Sequence, residues 1–463
     1  MTEPSPVMAL FQDAVATVPA YRRFLEDNGV DPAAVLEPAA IPLMTKAGYH
    51  RRYPLPDRCR HGRLDAATVV ALSSGSSGHP TVWPRTESDE QTGVARFEQV
   101  FRDGFDAAES STLAVVCFAL GNWVGGMYTV AACRRLAADG YPITVATPGN
   151  DLAEILRVVG ELGRNYDQTV LLGYPPFLKN VIDAGRDRGL DWQYYGIKLV
   201  LAGEVFSEQW RDLVGERAGI SDPVTDIVSL YGTADAGVLG NETPLSVRIR
   251  RFLARHPDVA TRCFGDSRLP TLVQYDPVTH WFEPMPDGTL TFSCAGTVPL
   301  VRYHIADEGG VLPYDEMVSL CRDHGFDPGD GPRLPFVYVF GRSLFTVSYF
   351  GANIYPENVT AGLERPAVSG WTTGRFVLRT VEDTDRDRRL SVVVELAAGA
   401  EPSEERRMLA ASSIRTELLR INSEFAHYVP AAYQTPQVEL RPADDAEFFP
   451  PGVKHRWTRP QTP

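Results

Sequence analysis

Residues 143–173, ITVATPGNDLAEILRVVGELGRNYDQTVLLG, decide the fold class. Ile143 to Ala146 is a short apolar run that reads as a strand, and Thr169 to Leu172 reads as another. Between them Leu152, Ile155, Leu156, Val159 and Leu162 recur at helical spacing, giving a helix over 151–162 one apolar face. Asn150 or Asp151 provides its cap. The alternation continues outward with a helix over 177–188, a strand over 197–202, a helix over 207–217 and a strand over 227–230. Repetition of this kind builds a sheet covered by helices, an α/β body.

On the N-terminal side, residues 111–133 carry no charge over a length that could span a bilayer. Gly121, Asn122, Gly125 and Gly126 interrupt the run, which predicts a strand, a glycine loop and a buried helix. On the C-terminal side the character changes near residue 270. Thr271 to Tyr275, Thr289 to Ser293 and Leu300 to Tyr303 read as short strands, separated by turn signals such as Pro286-Asp287-Gly288. They suggest a smaller β unit appended to the α/β body. The last hundred residues predict a hairpin of 376–381 with 390–396 and a final strand at 437–440. Between these lies a helix with Met408, Ala411, Ile414, Leu418, Ile421 and Phe425 on one face. A domain boundary is placed at 341–345, where one strand-like run gives way to another through Gly-Arg-Ser.

The chain has 463 residues, enough for two to four domains of ordinary size, and its 44% hydrophobic and 22% charged residues are those of a folded globular protein. Acidic residues outnumber basic ones by 59 to 45, a net charge of -14, which argues against a nucleic-acid partner. Six scattered cysteines without a CxxC pair are read as reduced thiols in a cytoplasm. The first residues lack the basic and apolar regions of a secretory signal, and no repeat period suggests a solenoid.

Several segments carry residues suited to chemistry. Ser73-Ser74-Gly75-Ser76-Ser77-Gly78-His79-Pro80-Thr81 follows an apolar run. Its small residues allow successive backbone N–H groups to converge on an anion, although it is neither a Walker A loop nor GxGxxG. Tyr231-Gly232-Thr233-Ala234-Asp235 offers an aromatic face for a purine and a carboxylate for a cation, or else a core ring and a helix cap. Gly203-Glu204 ends a predicted strand. The remaining segments are Leu300-Val301-Arg302-Tyr303-His304-Ile305-Ala306-Asp307, Gly341-Arg342-Ser343, the run from Phe350 to Pro356, and Gly452-Val453-Lys454.

Taken in chain order, these segments resemble the motifs of adenylate-forming enzymes: SSGTTGKPT, YGxSE or YGxTE, PLIRYRTGD, GRSDD and RGVNVFP. The branch they resemble most is the phenylacetate-CoA ligase group. The resemblance implies a large multi-sheet N-terminal adenylation domain over 1–341 with a β-rich subdomain, a hinge at 342–345 and a small mobile α+β lid over 346–463. It implies ATP, Mg²⁺, a small aryl acid and coenzyme A as acceptor, with AMP and pyrophosphate released in a cytoplasmic enzyme that is no membrane protein and forms a homodimer. Ser73, Ser74, Gly75, Ser76, Ser77 and Gly78 would cradle phosphates, and Gly203, Glu204, Tyr231 and Gly232 would flank adenine. Asp307 would hold the ribose, with Arg302 an electrostatic or structural neighbour. Arg342 would join the nucleotide site, Asp235 would bind the metal, and Thr233 and Lys454 would be catalytic. Gly121 to Tyr128 is a pocket wall or a buried turn.

The sequence departs from that pattern in four places. His79 replaces the lysine of the phosphate loop, Asp235 replaces glutamate, Leu344-Phe345 replaces the two hinge aspartates, and His304 and Ala306 replace arginine and glycine. Three outcomes follow: an aryl-acid CoA ligase; a relative that uses another acceptor, as an amide synthetase or an ATP-dependent diazotase joining nitrite to an arylamine; and a non-catalytic nucleotide-binding relative.

Overall fold

The computed structural model describes residues 5–73, 81–266, 268–342, 346–443, 445, 447–449, 457 and 458, except the side chain of Arg342. By Cα proximity the chain divides into a larger unit, made of most of the chain up to Gly341, and a smaller one made chiefly of the chain from Arg342 onward.

In the larger unit β1 (Val69–Ser73) and β2 (Thr81–Arg85) form an antiparallel pair with Ser73 opposite Thr81. An eleven-stranded sheet follows, built from β3 (Thr112–Val116), β4 (Ile143–Ala146), β5 (Gln168–Gly173), β6 (Ile197–Ala202), β7 (Ile227–Thr233) and β8 (Gly237–Asn241). Five further strands complete it: β9 (Thr271–Gln274), β10 (His280–Pro284), β11 (Thr289–Cys294), β12 (Leu300–Leu312) and β13 (Phe336–Arg342). Their spatial order is β10-β11-β12-β13-β9-β8-β7-β6-β5-β3-β4.

The strands β4, β3, β5, β6 and β7 run parallel. Every residue of β3 and β5 is buried, as expected of strands covered on both faces. Helices Val124–Ala138, Leu152–Leu162, Pro175–Asp187 and Glu208–Arg217 alternate with them. Of the two candidate caps it is Asp151 that accepts from the backbone N–H groups of Ala153 and Glu154, at 3.0 and 3.1 Å. The uncharged stretch 111–133 folds as β3, a loop and the start of the helix Val124–Ala138. Among the described residues no helix is long and apolar enough to cross a membrane. All six cysteines are free.

The short strands after residue 270 do not form a separate sheet. β8 turns back antiparallel on β7, and the strands beyond it extend the same sheet. Period-two patterning identifies a strand but not its neighbour, so this continuity has no local signal in the sequence. Adjacent residues of β9 and β13 serve opposite faces: Val273 and Val337 pack with Phe11, Tyr21 and Phe24 of the N-terminal helices Pro6–Thr17 and Pro19–Asp27. Leu272 and Phe336 pack with Leu245, Phe252 and Met317 on the other side.

In the smaller unit β14 (Val347–Tyr349) pairs with β15 (Ala352–Ile354), and β16 (Thr372–Glu382) pairs antiparallel with β17 (Arg388–Leu396). β18 (Gln437–Arg441) joins β17 in parallel. The expected single helical face differs in two ways. The helix Glu404–Ile421 ends at Asn422, whose side chain caps a second helix, Ser423–Tyr428, carrying Phe425. Met408 is 61% exposed. The helix contact is centred on Ile414, whose Cα lies 2.6 Å from where a Cβ on Gly362 would stand. Met408 lies nearly two turns earlier, outside that contact.

Candidate active site

In parallel sheets, loops at the C-terminal strand ends are where ligands gather. The register Ala202↔Leu230 places Gly203, just past β6, abreast of Tyr231 on β7. Gly203 turns with φ +88°, a conformation that favours glycine, and Glu204 beside it is buried. Gly232 is required by close approach, because a Cβ there would meet the Gly237 carbonyl oxygen at 2.7 Å. This is where β7 shifts register against β8.

The turn that follows carries Asp235. Thr233 Oγ1 accepts from the Ala236 N–H at 3.0 Å, and Arg85 Nη2 donates to the Ala234 carbonyl at 2.7 Å, bracing the turn from β2. Asp235 stands between two strands and caps no helix. Its Oδ2 accepts from the Tyr303 hydroxyl at 2.7 Å, while its Oδ1 lies 3.2 Å from the ammonium of Lys46. Lys46 Nζ also reaches Ser73 Oγ at 3.5 Å, and Trp83 Nε1 donates to the same hydroxyl at 3.2 Å. Ser73 is thus fixed at the entrance to residues 74–80. Asp307 accepts from the Tyr231 hydroxyl at 2.7 Å, so two of the residues singled out in the sequence meet directly.

Lys46 carries no signal in the sequence; what places it is the pairing of its segment with β12. Met44 bridges Tyr303 in parallel, with the Met44 N–H donating to the Arg302 carbonyl at 3.1 Å and the His304 N–H to the Met44 carbonyl at 2.9 Å. The Arg302 guanidinium pairs with Glu283 at 2.6 Å and donates to the carbonyls of Ala39 and Ile41. Of the two roles open to Arg302, this geometry is the structural one: it stitches the segment before Lys46 to the strand that carries Tyr303 and Asp307. Ala306 has φ +61° where the resembling motif has glycine. A non-glycine residue there costs of order 1 kcal/mol and is held by its surroundings. His304 is engaged with Thr289 Oγ1 at 2.8 Å.

Beneath Asp235 lies His50, its ring 4.6 Å from Trp83 and edge-on to Tyr303 at 5.3 Å. Arg58 Nη1 lies 2.9 Å from its Nδ1, and since a guanidinium can only donate, Nδ1 accepts and the proton sits on Nε2. Burial, reinforced by Arg58, pushes the imidazole down to about 3, so it is neutral near pH 7.

The loop at Gly121 and Asn122 is tied to β1 by the Leu72 N–H, which donates to the Asn122 carbonyl at 2.9 Å. Tyr128 is buried against Gly93 and Gly237, with the Arg85 guanidinium 5.2 Å from its ring centroid. Ser74, Gly75, Ser76, Ser77, Gly78, His79, Leu344, Phe345, Lys454 and the side chain of Arg342 lie outside the described residues.

No protein-family model matches the chain. Over 355 residues, 75% of this chain and 71% of the relative, it is 28% identical to a phenylacetate-coenzyme A ligase of Thermus thermophilus. Among solved structures it shares its fold with 2-hydroxyisobutyryl-CoA ligase in complex with 2-HIB-AMP and CoA. That match has a TM-score of 0.65 and 17% identity, covering 98% of this chain and 88% of the other. In sequence and fold the chain is thus similar to the adenylate-forming enzymes, and to their phenylacetate-CoA ligase-like group. A second structure with the superfamily's fold is the amide bond synthetase McbA from Marinactinospora thermotolerans, with a TM-score of 0.52 at 15% identity over 99% of this chain and 84% of that one. Lys46, Tyr303 and Arg85 stand beside the residues legible in the motifs.

Proposed function

We propose that this ligase activates an aryl acid as its adenylate, using ATP and Mg²⁺, and passes the acyl group to coenzyme A. The observation that supports this most directly is the convergence of Tyr231 with Asp307, and of Lys46 with Asp235 and Ser73, around the ends of the parallel strands. In the first half-reaction a carboxylate oxygen of the acid attacks the α-phosphorus of ATP, and the bond to the bridging oxygen breaks to release pyrophosphate. In the second, the coenzyme A thiol gives up its proton and attacks the acyl carbon, and AMP leaves.

The residues fit those substrates. Asp307 accepts hydrogen bonds from the ribose hydroxyls, and Tyr231, Gly203, Glu204 and Gly232 flank the adenine. Ser73 to Gly78 offer backbone N–H groups to the phosphates. Asp235 and the Thr233 hydroxyl are hard oxygen donors of the kind Mg²⁺ takes, and the Asp235 charge is already answered by one cation, the Lys46 ammonium. When bound, Mg²⁺ supplies neutralisation of the phosphate charge. Lys46 brings a second positive charge toward the loop in which His79 stands for lysine. Residues 346–463 act as a lid about a hinge at 342–345, bringing Lys454 to the carboxylate and the α-phosphate, with Arg342 at the nucleotide.

A second reading, transfer to an amine or ATP-dependent diazotisation of an arylamine with nitrite, is favoured by Leu344-Phe345 in place of two aspartates at the hinge. Release of AMP and pyrophosphate from Mg-ATP separates the two, measured over a panel of aryl acids with coenzyme A, with an amine, and with nitrite plus an arylamine. Coenzyme A dependence with an acyl-CoA product supports the first reading, and dependence on an amine or nitrite moves the enzyme to the second. Silence in every combination contradicts both.

A further inference from the structure

The segments 231–235 and 303–307 share one spacing, a tyrosine followed four residues later by an aspartate. The structure crosses them: Tyr231 donates to Asp307, and Tyr303 donates to Asp235, both at 2.7 Å. The strands involved are not neighbours, since β8, β9 and β13 lie between β7 and β12. Strand pairing therefore does not impose either bond. All four side chains are buried, where losing a donor to a carboxylate is costly.

We propose that Tyr303 is the positioning residue for Asp235: its hydroxyl fixes one carboxylate oxygen so that the other is aimed at the place now held by the Lys46 ammonium, where the divalent cation binds. This rests on the reading of Asp235 as the Mg²⁺ ligand. The terminal torsion of an aspartate is broad, so a single strong hydrogen bond selects the rotation of its carboxylate. Tyr303 is a rigid donor. Its ring is packed by His50 at 5.3 Å, Phe292 at 5.6 Å and Trp83 at 6.4 Å, and its backbone is bridged to Met44. Tyr231 does the same for Asp307. Because each tyrosine holds the carboxylate of the other segment, a ligand that orders one carboxylate also orders the segment presenting the other. Cation and nucleotide then favour each other reciprocally.

The test is Mn²⁺ binding to the full-length protein, read from the electron paramagnetic resonance of free Mn²⁺, with and without AMP. AMP affinity is measured separately by calorimetry without metal. Tyr303→Phe, which keeps the ring, is expected to weaken Mn²⁺ roughly tenfold and leave metal-free AMP affinity within about twofold; Tyr231→Phe is expected to do the reverse. In either variant the enhancement of Mn²⁺ binding by AMP is lost. Tyr303→Phe binding Mn²⁺ as the wild type does overturns the proposal. Asp235→Asn isolates the underlying reading: Mn²⁺ affinity indifferent to that change removes Asp235 as a metal ligand, and the proposal with it. Thermal unfolding of each variant accompanies the titrations. Should Tyr303→Phe fail to fold, Tyr303→4-aminophenylalanine keeps the ring and a donor. It is expected to retain Mn²⁺ affinity within about twofold, and a tenfold loss overturns the proposal.

Discussion

Two buried clusters of charge in the larger unit are built on opposite plans. In the first, Arg211 pairs with Glu208 at 2.9 Å and Glu242 at 2.8 Å, while Arg250 pairs with Glu208 and donates to the Pro270 carbonyl at 2.8 Å. Glu242 also accepts from the Ser229 N–H of β7 at 2.8 Å, and Arg211 reaches the Ile227 carbonyl. Charge is matched by charge, and further bonds go to the backbone of β7. In the second cluster Asp235 meets Tyr303 and Lys46, and the Lys46 side chain keeps 28% exposure. The Lys46–Asp235 ion pair is within reach of solvent and can be exchanged for a ligand. In the first cluster the Glu208 carboxyl is held down to about 2. Burial opposes that shift most strongly, and the Arg211 and Arg250 guanidiniums beside the carboxyl overcome it. A perturbed acid here marks a strut, and an exchangeable pair marks the site.

The contrast is broken most forcefully at Arg211. Replacing it with Met takes the guanidinium from buried Glu242 and leaves Glu208 to Arg250 and Arg251, and a loss of about 3–5 kcal/mol in urea unfolding is expected. Asp235→Asn is expected to do the opposite, lowering ATP–pyrophosphate exchange by roughly 100-fold, about 2.7 kcal/mol, while moving the thermal midpoint only slightly. Lys46→Ala is expected to cost roughly tenfold in the same exchange, because it removes one charge and leaves the carboxylate in place.

The most gradual effect is the pH dependence of stability. The pKa of His50 is lowered from 6.5 to about 3, so the unfolded chain takes up a proton that the folded one refuses. Stability is full above pH 6.5 and falls progressively toward pH 3, by at most about 1.4 kcal/mol per pH unit. Glu208, also lowered, contributes stability that is full above pH 4.5 and is lost as pH falls through about 2. The site histidine therefore weakens the fold before the strut does. Denaturation followed between pH 7 and 4 is expected to show this loss, and His50→Asn, which can still accept from Arg58, is expected to flatten it.

What the sequence makes legible follows from how far apart the partners lie. The parallel strands announce themselves because both faces are buried, and Asp151 and Ser207 announce helix starts because caps act over three residues. Tyr231, Asp235 and Asp307 stand in short segments whose order can be recognised. Lys46 belongs to no such segment, and its partners Ser73 and Asp235 lie 27 and 189 residues away. Tyr303 was visible only as a residue within a motif, and its partner sits 68 residues earlier. The repeated tyrosine–aspartate spacing was present in the sequence, but its crossing is a property of the folded chain. Arg302 and Ala306 take left-handed backbone without being glycine, so composition gives no hint of either turn.

Formation of an acyl adenylate at the strand ends is the step on which the proposed function stands. ATP–pyrophosphate exchange, measured for the wild type and Asp235→Asn across a panel of aryl acids, tests it most directly. Acid-dependent incorporation of labelled pyrophosphate into ATP by the wild type, reduced roughly 100-fold in the variant, is the predicted result. No exchange with any acid, or equal exchange in the two proteins, contradicts it.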